Sequence, residues 1–198
     1  MRRRIILAGA VLCLVTPGLL LAAPWEFDPA HTGVHFKVRH LMISSVRGEF
    51  EKVSGKIVYD ESDVTKSSAD IAIETASINT RVAKRDEHLR SPDFLDVAKY
   101  PAITFRSKRV EKAGGGTLKM TGDLTIRGVS KEVVLTVEGP TPAIKDPMGN
   151  SRVGGQAATR INRKDFGLAW NKVLETGGVV VGDEVEITID VEIYKKPA

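Results

Sequence analysis

The chain has 198 residues and a formal net charge of +4, from 29 Lys and Arg against 25 Asp and Glu. Three of the basic residues are Arg2, Arg3 and Arg4, and once these are set aside the remaining 26 basic residues face 25 acidic ones. A nearly neutral body gives no general electrostatic reason to bind nucleic acid or an anionic membrane. The only cysteine is Cys13, so the rest of the chain cannot form a disulfide, a thiolate metal site or a cysteine nucleophile.

An apolar segment follows the three arginines and extends to Ala23. Pro17-Gly18 interrupts it and small residues end it, which is typical of a secretory signal peptide. We predict a signal peptide over residues 1–22 and one barrel domain over residues 23–198. The alternative is an uncleaved membrane anchor, which a central proline and glycine disfavour. Export of a domain without disulfides fits a bacterial periplasm, the predicted location.

Strict alternation of apolar and polar side chains is the main feature of the rest of the chain. In residues 185–193 every second side chain is branched and apolar. A strand points successive side chains to opposite faces, so such a segment has one dry and one wet face. The pattern changes phase between Phe50 and Val53, which predicts a β-bulge. Eight such segments predict an all-β fold, an eight-stranded antiparallel barrel over residues 25–39, 46–59, 69–77, 102–112, 117–127, 131–138, 152–161 and 185–194.

One or two short helices are expected among the strands. Residues 81–89 are predicted to form a helix, with Asn79 or Thr80 as its N-cap. Ser91-Pro92 has the residue types of a second helix start, with serine as the cap and proline in the first turn. A short helical turn is also expected over residues 162–170.

The predicted inner faces carry small residues where a filled core needs volume. Gly48, Gly122, Gly155 and Ala157 face inward in the expected register, and few aromatic residues compensate for them. A void is costly unless something fills it, so a ligand cavity is favoured, with a self-filled barrel as the alternative. Phe166 and Trp170 are candidates for closing one end of the barrel. The other candidate site residues are Val34, Phe36, Val38, Phe50, Ile71, Ile73, Phe105, Met120, Leu124, Ile126, Leu135, Ile187 and Ile189.

The sequence contains no recognisable motif for catalysis or metal binding. Asp86, His88 and Ser91 are close along the chain, but residues two apart on a helix do not face each other. His31 and His35 share one face of a strand, without an evident carboxylate to complete a metal shell. We therefore predict no catalytic residue, no metal and no cofactor.

Basic residues are concentrated in the predicted helix, at Arg81, Lys84, Arg85 and Arg90. They alternate with acidic residues, so the default interpretation is a solvated face with local ion pairs. The alternative is that one or two of them meet an anionic headgroup at a mouth of the barrel.

Motifs in a fixed order cover most of the chain: Trp25-x-Phe27-Asp28-Pro29-x-His31-Thr32, Val46-Arg47-Gly48-x-Phe50, Ile78-Asn79-Thr80-x(4)-Arg85-Asp86-x-His88-Leu89, Arg163-x-Asp165-Phe166-Gly167-Leu168 and Gly182-Asp183-x-Val185. This set resembles the YceI-like family of polyisoprenoid-binding proteins. The resemblance implies an extended, lipocalin-like barrel in the bacterial periplasm that holds an isoprenoid or similar lipid in an apolar tunnel. It also implies frequent dimers and attaches no catalytic residues.

The residues and the resemblance together predict a non-enzymatic periplasmic carrier of an isoprenoid or other long-chain lipid, such as a quinone tail or a prenyl phosphate. One alternative is an interaction module with a self-filled barrel that partners a membrane redox protein. Another, an enzyme acting on a lipid or amide, has no motif behind it. The predicted partners are a long-chain isoprenoid lipid, a second copy of the chain, and a membrane or membrane protein in transient contact; nucleic acid is not among them.

Overall fold

The structure is a computed structural model that describes residues 24–175 and 177–197. The predicted signal peptide over residues 1–22 lies outside these described residues. Within the described ranges, no helix is both long enough and apolar enough to cross a membrane.

Alternating residues form one antiparallel sheet of twelve strands in the described part of the chain. The strand order is β4-β5-β7-β8-β9-β11-β12-β2-β3-β6, with β1 paired to β12 and β10 paired to β11. The strands are β1 (Glu26–Phe27), β2 (Gly33–His40), β3 (Ser44–Phe50), β4 (Val53–Val58), β5 (Ser68–Glu74), β6 (Ile78–Asn79), β7 (Ala102–Gly114), β8 (Thr117–Ile126), β9 (Val129–Glu138), β10 (Ile144–Lys145), β11 (Ser151–Asn162) and β12 (Val181–Lys195).

The sheet curls so that its two ends meet. β3 and β4 lie near opposite ends of the strand order, yet only Glu51 and Lys52 separate them along the chain. The Glu51 amide donates to the Ser77 carbonyl at 3.2 Å, and the Glu74 amide donates to the Lys52 carbonyl at 3.0 Å. These bonds join the ends into a barrel, which satisfies backbone groups that an open edge would leave unpaired.

The all-β, lipocalin-like prediction is confirmed, but the predicted count of eight strands is wrong. The irregularity expected between Phe50 and Val53 divides one predicted strand into β3 and β4. The strand predicted over residues 69–77 ends at Glu74 as β5, and a 3₁₀ helix at Thr75–Ser77 separates it from β6, which lies beyond the predicted range. The two-residue strands β1 and β10 account for the rest. The phase change between Phe50 and Val53 marks the first break but was interpreted as a bulge within one strand, and the other breaks leave no signal in the alternation.

One α-helix, α1 (Ala83–Arg90), precedes β7. The predicted N-caps are wrong: Val82 occupies the cap position, and the buried Asp86 instead accepts bonds from the amide (2.9 Å) and the hydroxyl of Thr80. The predicted second helix is also absent from the described residues, because the amide and hydroxyl of Ser91 donate to the His88 carbonyl and end α1. The remaining helices are 3₁₀ turns at Val64–Lys66, Thr75–Ser77 and Arg163–Phe166.

Antiparallel pairing gives the barrel two distinct ends. The upper end carries the β2–β3 turn, the β8–β9 turn and the connections over residues 80–101 and 163–180. The lower end carries the segments 24–32, 59–67, 115–116 and 139–150. A large buried cluster that includes Phe94, Leu95 and Phe166 lies toward the upper end. Val110, Leu118, Val153 and Ile193 are buried outside that cluster, toward the lower end.

Candidate functional site

An apolar cavity of about 320 Å³ occupies the interior of the barrel. This volume falls at the small end of the range for small-molecule sites, about 300–1,000 Å³. Phe36, Val133 and Ile187 line it and keep accessible surface although they belong to the inward-facing sets of their strands. The inward side chains of the described residues therefore do not fill the barrel, and the self-filled alternative does not describe this geometry.

Most of the predicted site residues line the cavity: Val34, Phe36, Val38, Phe50, Ile71, Ile73, Phe105, Met120, Leu124, Ile126, Leu135, Ile187 and Ile189. The other two, Phe166 and Trp170, belong to the connection at the upper end. Phe166 is 2% exposed in the core cluster. The Trp170 ring is half-buried, with its centroid 5.0 Å from that of Phe94 and 4.9 Å from that of His88. Both rings thus pack at the upper end beside the cavity.

Sequence reasoning missed part of the lining. Val53, Ile57 and Tyr59 continue one alternating face along β4 and could have been found by extending the pattern to its end. Phe94 and Leu95 also line the cavity, but they lie in a turn between α1 and β7. Alternation carries no signal for residues outside strands, so only the fold identifies these two.

Two of the inward glycines do not leave empty space. A Cβ at Gly122 would lie 2.6 Å from Cζ of Phe105, and a Cβ at Gly48 would lie 2.7 Å from Cε1 of Phe36. The aromatic rings cover these glycines, so the expectation that both contribute free volume is wrong. Gly155 differs, because a Cβ there would approach only the Glu138 carbonyl, at 3.1 Å.

Arg163 lies at the upper end of the cavity and is 3% exposed. Its guanidinium donates to the carbonyls of Gly182 and Trp170, both at 2.9 Å, and to that of Leu168. A further contact to Asp183 measures 3.3 Å. Burial lowers the pKa of Arg163 from its ordinary value. These bonds occupy the guanidinium donors, so Arg163 ties the loop that follows it to the start of β12 and presents little free charge to the cavity.

The lower end holds a network around Arg152. Its guanidinium lies 2.7 Å from both Asp28 and Asp146 and also contacts Glu192. Hydrogen bonds from Arg152 hold the pKa of Asp28 at about 2 and that of Asp146 at about 2. The same carboxylates raise the pKa of Arg152. The network joins three segments at one point: the residues that follow β1, the loop that precedes β11, and β12.

Carboxylates do lie beside His31, which the sequence did not reveal. Ligand atoms of Asp28, His31 and Glu192 all lie within 4.8 Å of one another. The Arg152 guanidinium contacts both carboxylates and so already supplies the positive charge that a metal would bring. The geometry therefore fits an ion-pair network better than a metal centre.

The residues that invited a catalytic triad have separate partners. Asp86 binds Thr80, His88 binds Asp93 at 2.9 Å, and Ser91 ends α1.

Two basic residues of the helix region also differ from the expected solvated face. Arg85 donates to the Thr80 carbonyl at 2.8 Å, and Arg90 donates to the carbonyls of Ala76 and Ile78. The hydrogen bonds of these two arginines hold α1 against the barrel.

An antiparallel sheet that curls around an apolar interior cavity is the architecture of lipocalin-like barrels. Residues 25–193 match the family model of the YceI-like domain, and the chain belongs to this family. A UPF0312 protein of Vibrio cholerae is 36% identical over 170 residues, 85% of this chain and 89% of the relative.

Solved structures agree with this assignment. The YCEI protein of Campylobacter jejuni is 36% identical and superposes with a TM-score of 0.68, covering 87% of this chain and 98% of that chain. A polyisoprenoid binding domain from Saccharophagus degradans superposes with a TM-score of 0.61, covering 88% of this chain and 99% of that chain. Its sequence is only 16% identical, so this second likeness shows a shared fold alone.

Proposed function

We propose that this protein is a non-enzymatic carrier that holds the hydrocarbon tail of an isoprenoid or other long-chain lipid in the barrel cavity. The observation that carries the proposal is the apolar cavity of about 320 Å³ inside a barrel of the YceI-like family. The polyisoprenoid binding domain of Saccharophagus degradans, which shares the fold, supports the choice of ligand. The predicted leader supports the periplasm as the place of action.

The physical driving force is burial of the tail. Each methylene moved from water into an apolar site contributes about 0.8 kcal/mol. A tail that fills the cavity also removes the penalty of an unfilled void, because side chains around a void lose contacts that neighbouring atoms would supply. The lining supplies branched and aromatic side chains from strands on every side, so the tail needs no directional polar contact to be held.

The charges around the cavity favour an uncharged headgroup. Arg163 is the one lysine or arginine side chain lining the cavity among the described residues, and protein carbonyls already accept its hydrogen bonds. Thr32, Tyr59 and Ser68 belong to the lower part of the lining, but the surface that faces the cavity is almost wholly apolar. A phosphate drawn into the cavity itself would have no free counter-ion there, whereas an uncharged quinone ring has no charge to bury. We therefore propose a neutral isoprenoid, such as a quinone, over a prenyl phosphate.

The direct test is to purify the exported protein without detergent and identify lipids in an organic extract by mass spectrometry. Met120→Trp is the site variant, because Met120 lines the cavity. Lys119→Trp is the matched control, because the neighbouring Lys119 is exposed on the outer face. Displacing as few as two methylenes costs about 1.6 kcal/mol, more than tenfold in affinity.

We expect wild type and Lys119→Trp to retain lipid, and Met120→Trp to lose most of it. Equal lipid content in the two variants would contradict the location of the site. If wild type neither co-purifies with lipid nor binds an added isoprenoid quinone, the carrier function itself is wrong.

A further inference from the structure

The upper end of the barrel exposes four large apolar side chains in the described residues, and three of them lie in two adjoining segments. Met42 is 51% exposed, Ile43 is 79% exposed and Val173 is 83% exposed. Met42 and Ile43 belong to the β2–β3 turn, and Val173 pairs with Val179 in a small hairpin of the connection before β12. We call Met42, Ile43 and Val173 the apolar tip.

Backbone hydrogen bonds hold the turn and the hairpin side by side. The Leu41 amide donates to the Val180 carbonyl at 2.8 Å, and the Val180 amide donates to the Lys172 carbonyl at 3.0 Å. Lys172 directly precedes Val173, and Val180 directly follows Val179. The apolar tip is therefore one structural unit rather than scattered surface residues, and clustering of exposed apolar groups is what distinguishes an interaction site from ordinary surface.

The β2–β3 turn, which carries two of the three tip residues, contains residue types that are unfavourable for its backbone conformation. The Ile43 amide donates to the His40 carbonyl at 3.2 Å, and the two residues between them, Leu41 and Met42, have φ of 51° and 61°. Such positive angles are usual for Asn and Gly in a tight hairpin and uncommon for bulky side chains. The chain thus gives up turn stability at a position where the Met42 side chain points into solvent, which is a pattern associated with functional sites.

Positive charges flank the apolar tip. Arg39 is exposed and donates to the Met42 carbonyl at 2.8 Å, and the exposed Lys172 adjoins Val173. Within residues 24–175 and 177–197, neither cation forms an ion pair with a carboxylate. At the lower end, by contrast, the largely buried Arg152 is paired with the carboxylates of Asp28 and Asp146. An apolar centre with a basic rim complements a membrane surface, whose interior is apolar and whose phosphates are anionic.

We propose that the apolar tip docks on the surface of a lipid bilayer. Met42, Ile43 and Val173 insert among the lipid headgroups, while Arg39 and Lys172 meet lipid phosphates. The inference rests on the proposed function, because a lipid tail has to be exchanged with a membrane. The body of the chain is nearly neutral, so insertion of the apolar side chains supplies most of the attraction and the two cations add a smaller, salt-sensitive share.

The test is flotation of the exported protein with vesicles of phosphatidylcholine, with and without phosphatidylglycerol. The tip variant is Met42→Ser/Ile43→Ser/Val173→Ser. Its matched control is Ile144→Ser/Met148→Ser, which removes two apolar side chains of similar exposure, 64% and 74%, from the lower end. We expect the tip variant to lose roughly tenfold or more in vesicle partitioning, and the control to match wild type. Arg39→Gln/Lys172→Gln should weaken binding mainly to the phosphatidylglycerol vesicles.

Met42→Gly separates docking from folding. Glycine relieves the positive φ and removes the exposed side chain, so we expect a higher thermal midpoint together with weaker vesicle binding. A wild type that does not float, or tip and control variants that float equally, would overturn the docking proposal. Isoprenoid binding in solution is measured for the same variants and should be unchanged. If wild type does not bind an isoprenoid in solution, the carrier function is contradicted, and the flotation result alone then decides whether the tip docks.

Discussion

If the cavity holds a lipid tail as proposed, removal of that lipid is expected to lower the thermal stability of this protein, because an unfilled cavity penalises the folded state. A residual cavity costs about 24 cal/mol per Å³, so a cavity of about 320 Å³ corresponds to about 8 kcal/mol when empty. Relaxation of the strands recovers part of this. If half remains, about 4 kcal/mol, the midpoint of thermal unfolding of a domain of this size changes by about 8–16 °C.

The assay compares three states of the protein by thermal unfolding: as purified, after extraction of its lipid with organic solvent, and after addition of an isoprenoid quinone. We expect extraction to lower the midpoint and the quinone to restore it. A quinone without its tail is the control and should restore nothing, since the tail supplies the burial.

Met120→Trp provides the second control, because its indole ring occupies part of the cavity and should reduce the effect of extraction. A midpoint that stays constant through extraction and refilling would refute the reasoning, because it would mean that the cavity is either never filled or costs nothing when empty.

Three further predictions concern packing, pH and the headgroup. Gly122→Ala should lower the free energy of unfolding by about 1–3 kcal/mol in urea titrations, because its Cβ would meet Phe105. Gly154→Ala should stay within about 0.5 kcal/mol, because the nearest atom is the Val191 carbonyl at 3.6 Å. The pKa values of Asp28 and Asp146, about 2 in the folded protein against an ordinary 3.8, contribute stability that is present above about pH 4 and is lost as the pH falls toward 2. The urea midpoint measured across that range should fall, and Arg152→Gln should flatten the fall; equal slopes would contradict the network's role. In competition binding, an isoprenoid quinone should bind roughly tenfold or more tightly than a prenyl diphosphate of equal chain length, and equal affinities would contradict the headgroup argument.

Alternation along the strands predicts most of the cavity lining, because a strand has only two faces and one of them must be dry. Ile187 and Ile189 needed no more than their spacing to be placed inward. The same rule predicted an inward position for Gly122 but not that a neighbouring aromatic ring would cover it. That outcome depends on how Phe105 leans across from β7, which is a property of the paired strands rather than of either sequence alone.

The Arg152 ion pairs at the lower end and the Arg163 hydrogen bonds at the upper end could not be predicted from the sequence, for a different reason. Arg152 and Asp28 lie 124 positions apart, and no local pattern pairs residues at such a separation. Arg163 presents the same difficulty, since its partners are carbonyls of the following loop and of the start of β12, whose positions depend on the finished barrel. The strand count failed for a local reason, because the alternating pattern does not record the break at Thr75–Ser77.

The position of these networks explains how a hollow barrel remains folded. Arg163 and the packed rings of Phe94 and Trp170 secure the upper end, and Arg152 secures the lower end. Between them, a closed ring of paired strands fixes the radius, so the middle cannot collapse without breaking ladder hydrogen bonds. The Arg152 network lies outside the cavity lining, so it contributes to stability without touching the tail. Substitutions in this network should change the midpoint of unfolding with little effect on tail affinity, whereas Met120→Trp should lower affinity while adding packing contacts in the centre.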